Sequence, residues 1–318
     1  MTNQEQILKF IRHNPALSVS TLEKEAEIPR QTITRALNEG RAIPEKHLNQ
    51  LLPVITKYGY SPTLYQKARV ISVVNHKGGV GKTTTTVSLG EAMANMGFRV
   101  LLIDLDPQGN LSQVLGVDLP EVQVADALLD NATFPVVNID KNLDLAPSDI
   151  DLANVEMRFH ELTGGEFRLK NRMSHLLENY DYIIIDCPPS LNKLTISALT
   201  ASSSCLITLL PEMSAVKGLN SIWGKISEVR RDLNATLVID GIVFTMVKRN
   251  TVHDGIKAHV KEEVTNVKIF ESEIKHLIDF QKSQIAQNAI AKFAEGSEAA
   301  KCYKEFCDEY IAYLQIVK

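Results

Sequence analysis

No apolar run in this chain of 318 residues approaches the roughly 20 residues that a helix needs to cross a bilayer. The opening MTNQEQILKF is polar where a secretory signal would be apolar, so a cytoplasmic protein without a membrane role is expected. Cysteine is scarce: Cys187, Cys205, Cys302 and Cys307 are scattered, with no C-x-x-C pair and no Cys/His set at zinc-ligand spacing. They read as reduced thiols, which leaves out a disulfide scaffold and a zinc ribbon. Positive charge is not in excess either. The net charge is −4, so any contact with nucleic acid must come from local basic patches and not from the field of the whole molecule. Internal repeats and low-complexity stretches are missing. With 44% hydrophobic and 23% charged residues the chain can bury a real core, and its length suits one sizeable domain plus a smaller one.

Two kinds of patterning divide the chain. Up to about residue 60 the apolar residues Ile7, Leu8 and Ile11, then Leu22, Ala26, Ile28, Ile33 and Leu37, recur at helical spacing with no strand signal between them. Ser20 followed by Glu23 has the form of a capping box, and Pro44 and Pro53 punctuate what comes next. Tyr58 to Ala68 has the look of a connector. From Val70 onward, β-branched runs (VISVVN, RVLLIDLD, YDYIIIDCPP, SCLITLL, IDGIVFTMV) alternate with helical segments. Such alternation predicts an α/β fold, a doubly wound and mainly parallel sheet whose strands are covered on both faces. The expected division is a small all-α domain over 1–65 and the α/β domain over 66–318.

The run Val70 to Asn75 passes directly into HKGGVGKTTTT and then a helical pattern, the strand, loop and helix order of a phosphate-binding P-loop. Gly78, Gly79 and Gly81 let the backbone N–H groups at Val80 and its neighbours turn toward phosphate oxygens, at the positive end of the following helix. Lys82 suits the β- and γ-phosphates, Thr83 offers a hydroxyl to Mg²⁺, and Thr84 continues the loop into the helix. The usual pattern has Gly at the position of His76. The loop reads Lys77-Gly-Gly-Val-Gly-Lys82-Thr83 instead, and this deviant form resembles the ParA/MinD group of P-loop ATPases. The resemblance covers about 70–315. It implies that Lys77 reaches across a homodimer interface to the partner's nucleotide, with ATP and Mg²⁺ as ligands. It also puts Asp106 of LLIDLDPQGN near the attacking water, Asp104 close to the Mg²⁺ shell, and Asp186 of YDYIIIDCPPS, similar to a Walker B segment, on Mg²⁺. Pro211 of LLPEMSAVKGL and Met246 would approach the adenine.

The N-terminal stretch VSTLEKEAEIPRQTITRALNEGRAIPEKHLNQLL resembles a phage-repressor helix-turn-helix, with a first helix Thr21 to Glu27 and a recognition helix Arg30 to Glu39. Arg30, Gln31, Thr32 and Arg35 are then the candidates for base and phosphate contacts. Glu27 departs from the pattern, since a glycine commonly makes that turn. A helical bundle used only for dimerisation is the plainer alternative.

ParA-type proteins bind DNA non-specifically through late basic residues once the ATP dimer forms. The matching stretch here, EIKHLIDFQKSQIAQNAI, offers Lys275 and Lys282 but has Asp279 where relatives often carry arginine. Lys248, Arg249, Lys257 and Lys261 form another basic cluster. The pattern Tyr303, Phe306, Tyr310, Leu314 is amphipathic without a strongly basic face, which predicts packing on the core in place of a membrane. The resemblance thus implies a nucleoid-associated partition ATPase, a weak hydrolase stimulated by a ParB-like partner and repressing its own operon. A nucleotide-regulated repressor and a ParA-like positioner of protein cargo are the alternatives.

Overall fold

The computed structural model describes residues 3–61, 67–130, 132–159 and 163–316. Seven strands form one sheet: β1 Arg69–Val74, β2 Val100–Asp104, β3 Val137–Asp140, β4 Leu143–Ala146, β5 Tyr182–Asp186, β6 Ser204–Leu209 and β7 Val238–Phe244, in the spatial order β3-β4-β2-β5-β1-β6-β7. Every neighbouring pair is parallel except the edge pair β3 and β4. β2, β5 and β6 are buried along their whole length, because helices cover both faces. The doubly wound, mainly parallel sheet expected from the alternating pattern is therefore present.

Chain order reverses at β1, which has β5 on one side and β6 on the other. Open α/β sheets bind ligands outside the carboxyl ends of their strands at such a switch point. The helix that follows β1 lies there. The opposite end of the sheet is tied by charge: Asp240 accepts hydrogen bonds from Arg69 Nη2, Ser204 Oγ and Tyr310 Oη, all at 2.6 Å. Tyr310 belongs to the C-terminal helix Glu298–Ile316, whose Tyr303, Phe306, Tyr310 and Leu314 are buried in the core, as their spacing predicted.

The N-terminal part forms a separate apolar cluster of four helices, α1 Asn3–Arg12, α2 Val19–Glu25, α3 Thr32–Glu39 and α4 Glu45–Lys57, with Ile7, Leu22, Ile33, Leu51 and Ile55 at its centre. The expected boundary at 65/66 falls outside the described residues. So do residues 62–66 of the expected connector, although Tyr60 is buried edge-on against Phe10. Two local expectations need correction. α2 begins earlier than Thr21, capped by Ser18, which accepts from the Thr21 N–H, and it ends at Glu25; α3 begins at Thr32, not Arg30. Glu23 makes no capping box with Ser20. It is buried and accepts the Gln31 and Ile33 N–H groups at 2.9 and 2.8 Å, so its carboxylate closes the start of the next helix instead of its own.

The turn between α2 and α3 uses left-handed backbone at Glu27 (φ 53°) and Gln31 (φ 65°). A glycine meets that demand without a Cβ clash, whereas Glu27 holds it under strain.

This cluster is seated on the sheet at the amino ends of its strands. Lys9 Nζ donates to the Tyr180 carbonyl at 2.9 Å and lies 3.5 Å from Asp181, with both side chains almost fully buried. Burial pushes the Lys9 ammonium below its ordinary pKa, against the pull of Asp181. Beside it, the His13 ring packs on Phe98 and Tyr182 with centroids 5.0 and 5.5 Å apart. Lys141, in the β3–β4 turn, reaches the Asn38 carbonyl in α3 at 3.5 Å.

Glu27→Gly is expected to raise stability by about 0.5–1 kcal/mol, read as a higher urea midpoint at unchanged m-value. Lys9→Ala leaves Asp181 buried with a poorer set of partners and is expected to cost about 3 kcal/mol by the same measurement.

Candidate functional site

Helix α5 (Lys82–Asn95) starts where β1 ends, with the loop Asn75–Gly81 between them. Asn75 pins that loop: its amide donates to the Thr208 carbonyl of β6 at 2.6 Å and its oxygen accepts the Lys77 N–H at 2.9 Å. Gly79 and Gly81 adopt left-handed backbone (φ 67° and 79°), which turns successive N–H groups to one side of the loop. The Val80 carbonyl accepts from Thr245 Oγ1 at 2.8 Å, so the loop is held to the segment after β7 as well. His76 packs against Gly218 of the helix Ala215–Asp232, so closely that any Cβ there would run into its imidazole.

Three carboxylates and one ammonium gather at this end. Lys82 is buried and its Nζ donates to the Lys77 carbonyl at 2.9 Å; burial lowers its pKa and Asp186 opposes that shift. Thr83 Oγ1 donates to Asp186 Oδ2 at 2.7 Å. Asp186 has no exposed surface, and burial together with the neighbouring Asp104 drives its pKa up to about 8. Asp104 is pushed up to about 7 by burial, in spite of hydrogen bonds from the Ser112 N–H (2.9 Å) and hydroxyl (2.7 Å). Its other oxygen accepts the Asp106 N–H at 3.2 Å. Asp104 thereby orients Asp106, which borders the open cavity while Asp104 itself is sealed behind it.

That cavity measures about 490 Å³ and is lined by Gly78, Gly81, Lys82, Thr83, Asp106 and Met246, among others. Inward N–H groups, a lysine and a helix amino end on one wall suit a polyanion. A hydroxyl and carboxylates beside it supply hard oxygen donors of the kind Mg²⁺ takes. Among the described residues no three acids, histidines or cysteines form a metal cage.

Lys77 sits at the rim, half exposed, and is paired with Glu212 in the segment after β6. Pro211, next to Glu212, is buried and is not part of the cavity lining, whereas Met246 is, on left-handed backbone (φ 52°). Several lining residues had no motif to mark them. Gln284, Ile285 and Gln287 come from the helix Ile278–Ile285 and the turn after it, and Gln284 Nε2 donates to Thr84 Oγ1 at 3.1 Å. Glu212 stood within the quoted LLPEMSAVKGL and could have been found as the acid nearest in sequence to the end of β6.

The two sets of DNA candidates lie elsewhere. Arg30, Gln31 and Arg35 are exposed, while Thr32 is half buried with its hydroxyl on the Pro29 carbonyl at 2.6 Å; the exposed threonine of α3 is Thr34. Lys275 pairs with Glu298 at 2.6 Å and Lys282 with Asp279 at 3.6 Å. Lys257 pairs with Glu273 and Asp254, and Lys261 with Glu271, while Lys248 and Arg249 are exposed.

A family model described as an AAA domain matches residues 68–239. The sporulation initiation inhibitor protein Soj of Bacillus subtilis is 38% identical over 254 residues, covering 77% of this chain and 98% of Soj. The chromosome partitioning protein ParA of Caulobacter vibrioides is 40% identical over 210 residues, covering 62% of this chain and 78% of ParA. Among solved structures, cobyrinic acid a,c-diamide synthase of Mycobacterium smegmatis with bound ATP analogue and magnesium superposes with a TM-score of 0.69 at 32% identity, over 79% of this chain and 97% of that one.

Gly218→Ala is expected to displace His76 and loosen the loop, weakening binding of Mg²⁺ and a non-hydrolysable ATP analogue by roughly tenfold in calorimetry with little change in circular dichroism.

Proposed function

The chain belongs to the ParA/Soj family of P-loop ATPases, and from that membership we propose that it is a DNA-partition ATPase, hydrolysing ATP to ADP and phosphate and cycling between a monomer and a nucleotide-sandwich homodimer. One observation carries the reading: two lysines serve one phosphate loop from different positions, Lys82 buried and lining the cavity, and Lys77 half exposed with its ammonium paired to Glu212. A lysine so placed can leave Glu212 for the phosphates of a facing subunit. It is poorly placed to serve its own.

Within the loop, the N–H groups around Gly79 and Gly81 bind phosphate oxygens, and Lys82 trades the Lys77 carbonyl for the β- and γ-phosphates. The chemistry that Mg²⁺ would supply when bound is neutralisation of phosphate charge. Thr83 and Asp186, already joined by a hydrogen bond, are the residues that would hold the ion. Asp106, its backbone N–H held by Asp104, orients a water toward the γ-phosphate. Catalysis is then positioning and charge neutralisation, since a phosphoryl group in flight asks little covalent chemistry of the protein. Met246, which lines the cavity, is the residue that would approach the adenine; Pro211 is buried outside that lining.

The N-terminal cluster acts as a helix-turn-helix reader of DNA. Support comes from the exposed Arg30, Gln31 and Arg35 at the start of α3, from the left-handed Glu27 in the turn where glycine is common, and from the concave surface of about 720 Å³ that Arg30, Gln31 and Thr34 form with Ser20, Thr21 and Lys24. Repression of its own operon, stimulation by a ParB-like partner and residence on the nucleoid complete the reading.

A second reading, a nucleotide-regulated repressor that moves no cargo, draws on a specific observation. Lys275 and Lys282 each face an acid, which weakens the late basic surface on which non-specific DNA binding would rest.

With ATP, Asp106→Ala is expected to dimerise in sedimentation while hydrolysis falls by roughly a hundredfold or more, and Lys77→Ala to stay monomeric. A Lys77→Ala protein that dimerises normally would overturn the cross-subunit lysine. Salt-sensitive binding of random-sequence duplex in ATP and not in ADP, retained by Arg30→Ala/Arg35→Ala, supports the partition ATPase; binding confined to one operator in every nucleotide state supports the repressor.

A further inference from the structure

The run Thr83 to Thr86 puts four hydroxyls in succession at the start of α5, and each has a different partner. Thr83 donates to Asp186 at 2.7 Å, Thr86 donates back to the Lys82 carbonyl at 3.1 Å, and the buried Thr85 pairs with Tyr303 Oη at 3.1 Å. Thr84 differs from these three. Its hydroxyl accepts from Gln284 Nε2 at 3.1 Å, and its own proton has no acceptor among the described residues. A threonine inside a helix ordinarily gives that proton to the carbonyl four residues back. For Thr84 this is the Val80 carbonyl, which already accepts from Thr245 Oγ1 at 2.8 Å. Thr84 also lines the cavity beside Gly81, Lys82 and Thr83, on the wall formed by the phosphate loop.

Gln284 belongs to a part of the chain that is held against α5 on both sides of it. Within the helix Ile278–Ile285, Phe280 meets the Tyr303 ring edge-on at 5.4 Å, and Ser283 is buried with its hydroxyl on the Phe280 carbonyl at 2.9 Å. After the helix, Gln287 Nε2 donates to both oxygens of Asp118 at 3.0 Å, and the Ala291 N–H donates to Glu91 Oε2 of α5 at 3.2 Å. The backbone that carries Gln284 is therefore fixed, although its side chain is exposed. We propose that Gln284 is a positioning residue for the nucleotide: its amide occupies a lone pair of Thr84 Oγ1 and so commits the hydroxyl's proton to a phosphate oxygen in the cavity. The proposal rests on the reading of this cavity as the nucleotide site. A hydroxyl donates once and accepts twice, so a donor on one lone pair restricts where the proton can point, and the engaged Val80 carbonyl takes away its usual destination. An anionic oxygen is the acceptor that rewards such an arrangement, since a bond to a charged group is roughly twice as strong as one between neutral groups. Gln284 adds no charge of its own, and its effect passes through Thr84 without a contact to the ligand.

The test is a double-mutant cycle on the full chain, read by calorimetric binding of ADP with Mg²⁺. Thr84→Val keeps the shape of the side chain and loses the hydroxyl; Gln284→Met keeps the length and loses the donor. Thr84→Val is expected to weaken ADP binding by roughly tenfold or more and Gln284→Met by roughly fivefold, with the double variant no weaker than Thr84→Val alone. Unfolding midpoints without nucleotide are expected to stay within about 2 °C of the parent chain for both single variants. A hydrogen bond made equally to bound substrate and to the transition state acts on KM alone, so in ATP hydrolysis both variants are expected to raise KM by those factors and to leave kcat within about twofold. Losses that multiply in the double variant show Gln284 acting on the ligand by itself and overturn the positioning role. So does a Gln284→Met or Thr84→Val protein that binds ADP like the parent, or a loss that appears in kcat at unchanged KM. Weaker binding that comes with a midpoint lowered beyond that limit in Gln284→Met overturns it as well, by making the bond to Thr84 a support of the fold. A parent chain that binds no ADP overturns the reading of the cavity and the proposal together.

Discussion

Charge buried at one end of the sheet is the constraint on which the rest of this molecule turns. Asp104, Asp186 and Lys82 are all nearly without solvent, with Asp106 at their edge, and each is where it is because a strand or helix ends there. Taking such groups out of water is costly unless each is hydrogen-bonded, and here each is: Asp186 by Thr83, Asp104 by Ser112, Lys82 by the Lys77 carbonyl. Repulsion remains. Burial lifts Asp104 to about 7 and, with Asp104 as a charged neighbour, Asp186 to about 8, in a cluster with a single ammonium to offset them. A site in that condition favours any ligand that brings cation and polyanion together, and the phosphate loop supplies the donors for the second.

Much of this was legible in the residues. The alternation after Val70 announced the parallel sheet because strands covered on both faces have no room for polar residues, and the glycines of the loop announced left-handed backbone because few other residues adopt it. What the residues concealed is relational. Nothing in the spacing of Asp104 says that it faces Ser112 and the Asp106 N–H, eight and two positions on, and is thereby shut away from the cavity. Gln284 and Gln287 line a site some 200 residues from the loop in sequence, with no periodicity to connect them. Glu23 is the sharper case. Its distance from Ser20 suited a capping box, yet a carboxylate reaches whichever unpaired N–H groups the fold brings near, and tertiary structure offered those of Gln31 and Ile33.

The departure at Glu27 is instructive in the other direction. Glycine is common at that turn because it takes positive φ without strain, and the chain makes the turn with glutamate at φ 53°. The backbone path survives a side chain that disfavours it, since Leu22, Ala26 and Ile28 on one side and Ile33 and Ala36 on the other bury their apolar surface only if the chain turns there. A motif judged residue by residue would have been marked down at a position where the backbone is unchanged.

The seat of Lys9 has a consequence for how the molecule is made. Its carbonyl partner lies 171 residues further along the chain, so a ribosome adding about 5–20 residues per second delivers Tyr180 and Asp181 roughly ten to thirty seconds after Lys9. The amino-terminal helices hold their own apolar cluster and can assemble during that interval, with Lys9 and His13 still in water. Their attachment to the rest waits until β5 is synthesised and paired, which makes the joining of the two parts a late event in the birth of the protein, timed by translation.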